Sequence, residues 1–229
     1  MTTLNKIVYD LRNILRGGSL VSDDDPISDR QLIFWINIAR AQLIRQQIDR
    51  GQTLSENVIQ TLPCFEVEQV DASENSNIIS GCYLVKSARR LPALIETKEE
   101  DMLLKVSTPR LGAVPFSLYP VAAMPYVSYN PFSKKTVKAF YKEGYIYLEN
   151  TPYIESISVS GIFEDPEELS EINDCDNAPC FTRDSRYPIS NQMLDTLKRL
   201  IIDTHFKFVM KPLVDNTNNA SHNLEEPIK

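Results

Sequence analysis

The residues best suited to chemistry in this sequence are its cysteines and histidines. The chain has four cysteines: Cys64, Cys82, Cys175 and Cys180. Cys175 and Cys180 form the only closely spaced pair, and a zinc site would need two further soft ligands beside them. The two histidines, His205 and His222, lie too far along the chain for their spacing to complete such a site. We therefore interpret the cysteines as buried small hydrophobic residues rather than as metal ligands or disulfides.

The sequence contains two acidic runs, and the first of them is a candidate cation site. Asp23-Asp24-Asp25 precedes a predicted helix, but no further carboxylate is spaced to complete a calcium cage. Residues 164–176 hold seven acidic side chains and no basic one. Both runs are typical of solvated loops. For residues 164–176, repulsion of DNA or pairing with a basic partner is the alternative.

No catalytic motif is present in the sequence. It lacks the glycine-rich phosphate-binding patterns, the nucleophile-elbow pattern and the paired-histidine zinc pattern. Two histidines leave little for general-base catalysis or a triad. We predict a protein that is not an enzyme and that needs no cofactor or metal. A small hydrolase that uses paired carboxylates is the remaining enzymatic alternative, and it predicts a deep acidic cleft.

The bulk composition is that of a globular protein with a net negative charge. The chain has 229 residues, of which 42% are hydrophobic, and a formal net charge of −7. An acidic balance argues against a surface that holds nucleic acid through its phosphates, although it is compatible with DNA sliding past. No apolar run reaches the roughly 18 residues of a membrane span, and the N-terminus has no signal-peptide core. We expect a protein made in a cytosol without a membrane partner.

Three helices are predicted from apolar residues at three- and four-residue spacing. The first begins near Leu4 and ends at Gly17-Gly18. The second begins at Ser28, which stands at capping-box spacing from Gln31. Its stretch 32–36 is apolar nearly all round and is predicted to be buried. The third begins at Ser190, with His205 on its apolar face as a partly buried residue rather than a ligand.

Between residues 61 and 163 the period changes to two, which predicts about seven strands. Residues 134–141 and 145–149 flank a Lys-Glu-Gly turn and predict a β-hairpin. Residues 154–163 alternate again. These strands are enough for a small barrel or sandwich.

A proline-rich aromatic loop interrupts the β region at residues 115–132, and a polar arm follows Pro212. Proline cannot sit in a central strand, so this stretch is an edge or an extended loop. Its stiffness suits an interface because little entropy is lost on docking; the alternative is a connection folded over its own barrel. The arm cannot build a core. The predicted interface residues are Phe116, Tyr119, Tyr126, Tyr129 and Phe132 of the loop and Leu213, Asn216, Asn219 and Leu224 of the arm.

We therefore predict an α+β fold in which N-terminal and C-terminal helices form a helical bundle with an inserted antiparallel β barrel or sandwich. Residues 1–60 and 185–212 make the helical domain, and residues 61–165 make the β domain. Residues 166–184 form an acidic connecting loop, and residues 213–229 form a flexible C-terminal arm.

Four local stretches carry a resemblance to a known family. They are DLRNILRGG at 10–18, SDRQLIFWINIARAQLIR at 28–45, GIFEDP at 161–166 and YPIS at 187–190. These stretches resemble structural proteins of crAss-like phages of gut Bacteroidales. The order of helices, β module, long helix and polar tail is similar to that of the tail adaptors of short-tailed phages. The resemblance covers both ends of the chain well and the middle poorly.

The resemblance implies a virion structural protein that forms a ring, typically a dodecamer, beneath the portal protein and around the DNA exit channel. Its partners would be copies of itself, the portal protein and other tail or ring proteins, with DNA passing without specific binding. Such a protein is assembled in the host cytoplasm and resides in the neck of the virion. The alternatives are another ring or collar protein of the tail, or a monomeric α+β module that binds a protein.

Overall fold

A computed structural model describes residues 2–15, 27–71, 84–97, 102–109, 115–128, 136–151 and 154–206. Its helices are α1 (Leu4–Leu15), α2 (Asp29–Asp49), α3 (Met124–Ser128) and α4 (Asn191–Ile201). Its strands are β1 (Gln60–Val70), β2 (Leu84–Ser87), β3 (Leu103–Ser107), β4 (Ser117–Leu118), β5 (Lys138–Lys142), β6 (Tyr145–Glu149) and β7 (Ser156–Gly161). The predicted helix end at Gly17-Gly18, the Asp23–Asp25 run and Cys82 lie outside the described residues.

Helix α1 follows its predicted apolar pattern up to Leu11, whereas Ile14, which was predicted on the same face, is 46% exposed. The buried face of α1 comprises Leu4, Ile7, Val8 and Leu11, which recur at helical spacing. The Ser28 hydroxyl accepts a hydrogen bond from the Gln31 backbone N–H at 3.3 Å and caps α2. One part of the prediction for α2 is wrong. Phe34 lies inside the stretch predicted to be buried, yet 61% of it is exposed.

The third predicted helix is α4, which begins at Asn191 directly after Ser190, close to its predicted start. It continues from Ile202 to Phe206 as a single π-helical turn. Helix α2 packs against both α1 and α4. Their arrangement as a closed bundle remains a prediction.

The seven described strands form one sheet in the order β3-β7-β1-β2-β6-β5-β4. All neighbours are antiparallel except β4 and β5. The Phe116 backbone N–H donates to the Val106 carbonyl at 2.8 Å, which brings the two ends of the sheet together. The result is a nearly closed, barrel-like sheet in a mixed α+β protein, so the α+β class and the barrel are confirmed. The proline-rich loop supplies edge strand β4, as its prolines predicted.

The β5–β6 hairpin is also confirmed, although β5 begins at Lys138 rather than 134 in the described residues. Its turn residues, Glu143 and Gly144, have φ angles of +53° and +87°. Two successive positive φ angles define the tight turn that matches the twist of paired strands, and a glycine adopts one without a steric penalty.

One ion pair is buried within this hairpin. Lys138 and Glu149 face each other across β5 and β6, with Nζ 3.4 Å from the carboxylate and both side chains only 1% exposed. Neither residue stands out in the sequence, because alternation alone does not tell which polar strand positions face inward.

The interpretation of the cysteines is wrong for two of them. Cys64 in β1 and Cys175 in the segment after β7 form a disulfide, with 5.1 Å between their Cα atoms, whereas Cys180 is a free thiol. The two bonded residues are separated by 111 positions. The fold joins them because residues 172–175 run beside β1, a proximity that sequence spacing does not reveal.

We expect the Cys64–Cys175 disulfide to stabilise the folded chain. Closing a loop of this length restricts the unfolded chain, and native disulfides typically contribute about 2–4 kcal/mol. Urea denaturation of the oxidised protein and of the Cys64→Ser/Cys175→Ser variant will measure the difference in unfolding free energy. Cys180→Ser is the matched control and should unfold like the parent protein. An equal midpoint for the double variant and the parent would contradict the stabilising role.

Candidate assembly interface

A fully buried arginine connects the helices with the β module. Arg40 of α2 has no exposed surface. Its Nε donates to the Pro188 carbonyl and its Nη1 to the Phe163 carbonyl, each at 2.7 Å. Phe163 follows the last strand and Pro188 precedes α4. One side chain therefore holds both the end of the β module and the start of the C-terminal helix.

Asn37, one helical turn before Arg40, extends this polar cluster. The Tyr187 hydroxyl donates to Asn37 Oδ1 at 2.8 Å, and Asn37 Nδ2 donates to Asp165 Oδ1 at 2.8 Å. The Arg40 guanidinium also lies 5.9 Å from the centre of the Tyr187 ring. Burial raises the pKa of Tyr187 above its ordinary value, so this hydroxyl stays protonated and continues to donate.

The electrostatics of the cluster are structural rather than catalytic. Burial lowers the pKa of Arg40, and two of its nitrogens, Nε and Nη1, donate to backbone carbonyls. Its Nη2 has no hydrogen-bond partner among the described residues. A buried guanidinium positioned in this way fixes the relative placement of three segments.

Three of the stretches that carry the family resemblance meet at this cluster. Asn37 and Arg40 belong to the stretch 28–45, Phe163 and Asp165 to 161–166, and Tyr187 to 187–190. At the edge of the cluster Arg45 pairs with Glu164 at 2.8 Å. The stretches are far apart in sequence and adjacent in space.

A second contact joins α2 to the end of the described chain. The Trp35 ring stacks on His205 with ring centroids 4.6 Å apart and parallel planes, and Phe206 packs beside Trp35 at 6.1 Å. Partial burial lowers the pKa of His205. His205 is thus a partly buried residue that stacks on an aromatic ring, as predicted, close to the last described residue.

The predicted interface residues within the described part of the chain differ in their exposure to solvent. Tyr126 is 79% exposed, whereas Phe116 and Tyr119 are half-buried and pack against the core. The other predicted interface residues lie outside the described part of the chain: Tyr129, Phe132, Leu213, Asn216, Asn219 and Leu224.

Sequence reasoning missed several exposed apolar side chains on α1 and α2. Phe34 and Ile38 of α2 are 61% and 45% exposed, and Tyr9 of α1 is 65% exposed. Phe34 and Ile38 are four residues apart and so share a face. The available signal was Gln31 and Gln42, two polar residues that lie on the same side of α2 as Phe34 and Ile38 and are exposed.

The acidic segment lines a cleft of about 600 Å³ beside β1. Four acids line it together with Arg89: Glu66, Glu155, Glu171 and Asp174. Among the described residues no group of three or more histidine, cysteine or acidic side chains could hold a metal ion. Likewise, no helix in the described ranges is long and apolar enough to cross a membrane.

The features assembled so far describe a structural subunit, with polar side chains used for positioning and apolar side chains exposed on several elements. The chain belongs to the phage tail ring protein 2 family, whose model matches residues 6–225. It is similar to Ring protein 2 of Bacteroides phage crAss001. The two sequences are 24% identical over an alignment of 239 positions, which covers 98% of this chain and 99% of the relative. The predicted resemblance to crAss-like phage ring proteins is confirmed. This is a family of virion structural proteins, which is not a class of enzymes.

Shortening the Arg40 side chain should destabilise the fold strongly. Arg40→Ala leaves a cavity and two buried carbonyls without donors, so we expect a loss of about 3–5 kcal/mol in unfolding free energy. Arg40→Lys keeps the charge, but a single ammonium cannot reproduce the planar fork, and a loss of about 1–3 kcal/mol is expected. Urea denaturation measures both. A lysine variant as stable as the parent would show that charge alone is sufficient.

The fluorescence of Trp35, the only tryptophan, should report the protonation of His205. Because the pKa of His205 is lowered in the folded state, its stabilising effect is complete above the unfolded value of about 6.5. It is lost as pH falls through that value towards the folded pKa. We expect fluorescence quenching on acidification with a midpoint below about 6.5, and a parallel loss of stability. His205→Gln should remove both; a persistent midpoint in this variant would contradict the assignment.

Proposed function

We propose that this protein is the subunit of a homo-oligomeric ring, a dodecamer as in the tail adaptors that it resembles, at the head–tail connection of the phage. The ring lies beneath the portal protein and surrounds the DNA exit channel. The observation that carries this proposal is the family match to a phage tail ring protein over residues 6–225. Because the matched region spans both the helices and the β module, the whole subunit is included in the proposed role.

Each part of the chain has a place in this proposal. Residues 1–60 and 185–212 form the helical bundle that builds the ring wall, and residues 61–165 form the β domain. The packing of α2 against α1 and α4 supports the bundle. Residues 166–184 connect the two parts, and their disulfide to β1 supports a fixed connection. Residues 213–229 form the arm that reaches the portal protein.

The β domain contacts neighbouring tail proteins through the proline-rich aromatic loop at residues 115–132. Tyr126 supports this because a large side chain that is 79% exposed can be buried by a partner without disturbing the monomer, and tyrosine is enriched at interfaces. Phe116, Tyr119, Tyr129 and Phe132 complete the proposed loop surface. Leu213, Asn216, Asn219 and Leu224 are the proposed contacts of the arm.

DNA passes through the ring without specific binding. The formal net charge of −7 supports this, because firm attachment to phosphates needs clustered basic side chains. Assembly in the host cytoplasm and residence in the virion neck follow from the same proposal. A ring or collar at another level of the tail is the second candidate, since the family is described as tail ring protein 2.

The assembly state of the purified chain tests this proposal. We expect size-exclusion chromatography with light scattering to show a multi-copy complex, either for the chain alone or after addition of the portal protein of the same genome. A complex with the portal protein supports the head–tail position. A multi-copy complex that does not bind the portal protein favours the second candidate, a ring or collar at another level of the tail. A monomer indifferent to the portal protein contradicts both and favours the monomeric binding module.

Removal of residues 213–229 should separate folding from assembly. This segment has few apolar residues and contributes little to a core, so the thermal midpoint of the truncated chain should match the parent. Its association with the portal protein, measured by co-elution, should weaken. The full-length variant Leu213→Ser/Leu224→Ser is the matched control for the apolar contacts of the arm. Unfolding of the truncated chain would show instead that the arm belongs to the core.

A further inference from the structure

The exposed side of α2 has the composition of an interface core. Counting from the helical repeat, Gln31, Phe34, Ile38 and Gln42 project in nearly the same direction, and all four are exposed. We call these four residues the α2 strip. It contains no charge, although 24% of the chain is charged. Depletion of charge around an aromatic side chain distinguishes interface cores from ordinary surface.

The rest of α2 is occupied by the chain itself. Its other sides pack against α1 and α4, and Arg40 and Asn37 face the segments around Phe163, Asp165 and Pro188. On the exposed side of α2, charged residues lie only towards the two ends of the helix, where Asp29 pairs with Arg12 and Arg45 pairs with Glu164. The strip is therefore a bounded apolar surface held on a fixed helix.

A second exposed surface, centred on an aromatic side chain, lies on the neighbouring helix α1. Tyr9 is 65% exposed, and Asn5 and Asn13 lie one turn to either side of it, both exposed. Asn5 Nδ2 donates to Asp184 Oδ1 at 2.6 Å, and the exposed Lys6 lies beside Tyr9, so this surface has a polar and charged rim. We call these three residues the α1 site. The Arg12–Asp29 ion pair and direct packing connect the two helices. The two surfaces thus belong to one helical body and lie on different elements.

The α2 strip and the α1 site are two different surfaces of one subunit, as a closed ring requires. Identical subunits close into a ring through head-to-tail contacts, in which each copy uses two different surfaces. A contact made by one surface with itself gives only a two-fold pair. We propose that the α2 strip of one subunit receives the α1 site of the next copy of this chain. This proposal rests on the proposed ring function and assigns its intersubunit contact.

The size of the strip is consistent with the centre of such a contact rather than all of it. From Gln31 to Gln42 the strip extends about 16 Å, at about 1.5 Å per residue. A stable interface buries about 800 Å² on each partner, which is several times what the strip offers. Phe34, Ile38 and Tyr9 therefore act as the buried central residues, while surrounding polar residues complete the area.

Two aspartate variants and their mixture test the head-to-tail contact. Phe34→Asp and Tyr9→Asp should each raise the concentration needed for assembly at least about tenfold, as for loss of a central aromatic residue. Their thermal midpoints should match the parent, because both side chains are exposed in the single subunit. Leu104→Asp, at an exposed apolar position of β3, is the matched control and should assemble normally.

An equimolar mixture of the two variants should form a heterodimer and nothing larger. The Tyr9→Asp chain retains its strip and the Phe34→Asp chain retains its α1 site, so one intact contact remains. Mixed Phe34→Cys and Tyr9→Cys chains, in a Cys180→Ser background, should also be joined by a short bis-maleimide linker in the assembled state. Neither cysteine variant should form this crosslink alone.

The remaining outcomes overturn the assignment. Normal assembly of Tyr9→Asp with loss in Phe34→Asp would indicate a strip-to-strip contact. Crosslinking of Phe34→Cys to Tyr126→Cys instead would place the β domain of a neighbour on the strip. Normal assembly of Phe34→Asp would exclude the strip altogether. If the parent chain forms no multi-copy complex, alone or with the portal protein, the proposed ring function fails as well, which distinguishes that failure from a wrong interface.

Discussion

The buried guanidinium of Arg40 imposes the constraint on which the rest of this fold depends. A charged side chain without solvent contact has lost its hydration, and the structure must replace that hydration with directed hydrogen bonds. Arg40 obtains them from the carbonyls of Phe163 and Pro188. Because each carbonyl must lie in a narrow range of positions relative to α2, the chain that follows β7 and the chain that enters α4 are both fixed by one residue.

This constraint solves a problem of connectivity. The β module is inserted between α2 and α4, so its two ends must return to the helices in a defined way. The Asn37–Asp165 and Asn37–Tyr187 hydrogen bonds hold the same two segments from one helical turn away. The Cys64–Cys175 disulfide connects the first strand with the segment that follows the module. The barrel-like sheet and the helices are thereby joined at several points rather than through a single flexible connection.

The sequence predicted the elements that depend on local patterns. Ser28, the periodicity of α1 and the turn at Glu143-Gly144 are determined by neighbours a few residues away, and the structure agrees with them. Features that depend on tertiary placement were not predictable. Arg40 was one of several arginines on α2, and only the fold shows that it is buried. The disulfide and the exposure of Phe34 were missed for the same reason, since a nearly continuous apolar run does not reveal which side lacks a neighbour.

A buried polar cluster joins three segments at a cost in folding free energy, because apolar packing of similar volume avoids the desolvation of a charge. The cluster contributes directional hydrogen bonds instead. Apolar contacts tolerate small rotations of one element against another, whereas the two planar hydrogen bonds of a guanidinium do not. In a closed ring the angle between the two contact surfaces of each subunit is repeated in every copy, and an error in that angle accumulates until the ring cannot close. The polar cluster holds Tyr187 and Pro188 on α2, and the Tyr187 backbone N–H donates to the Thr2 carbonyl just before α1. Directed hydrogen bonds therefore connect both helices that carry the contact surfaces and keep that angle constant. The proposed ring role therefore gives a physical reason for a buried charge where stability alone would favour an apolar residue.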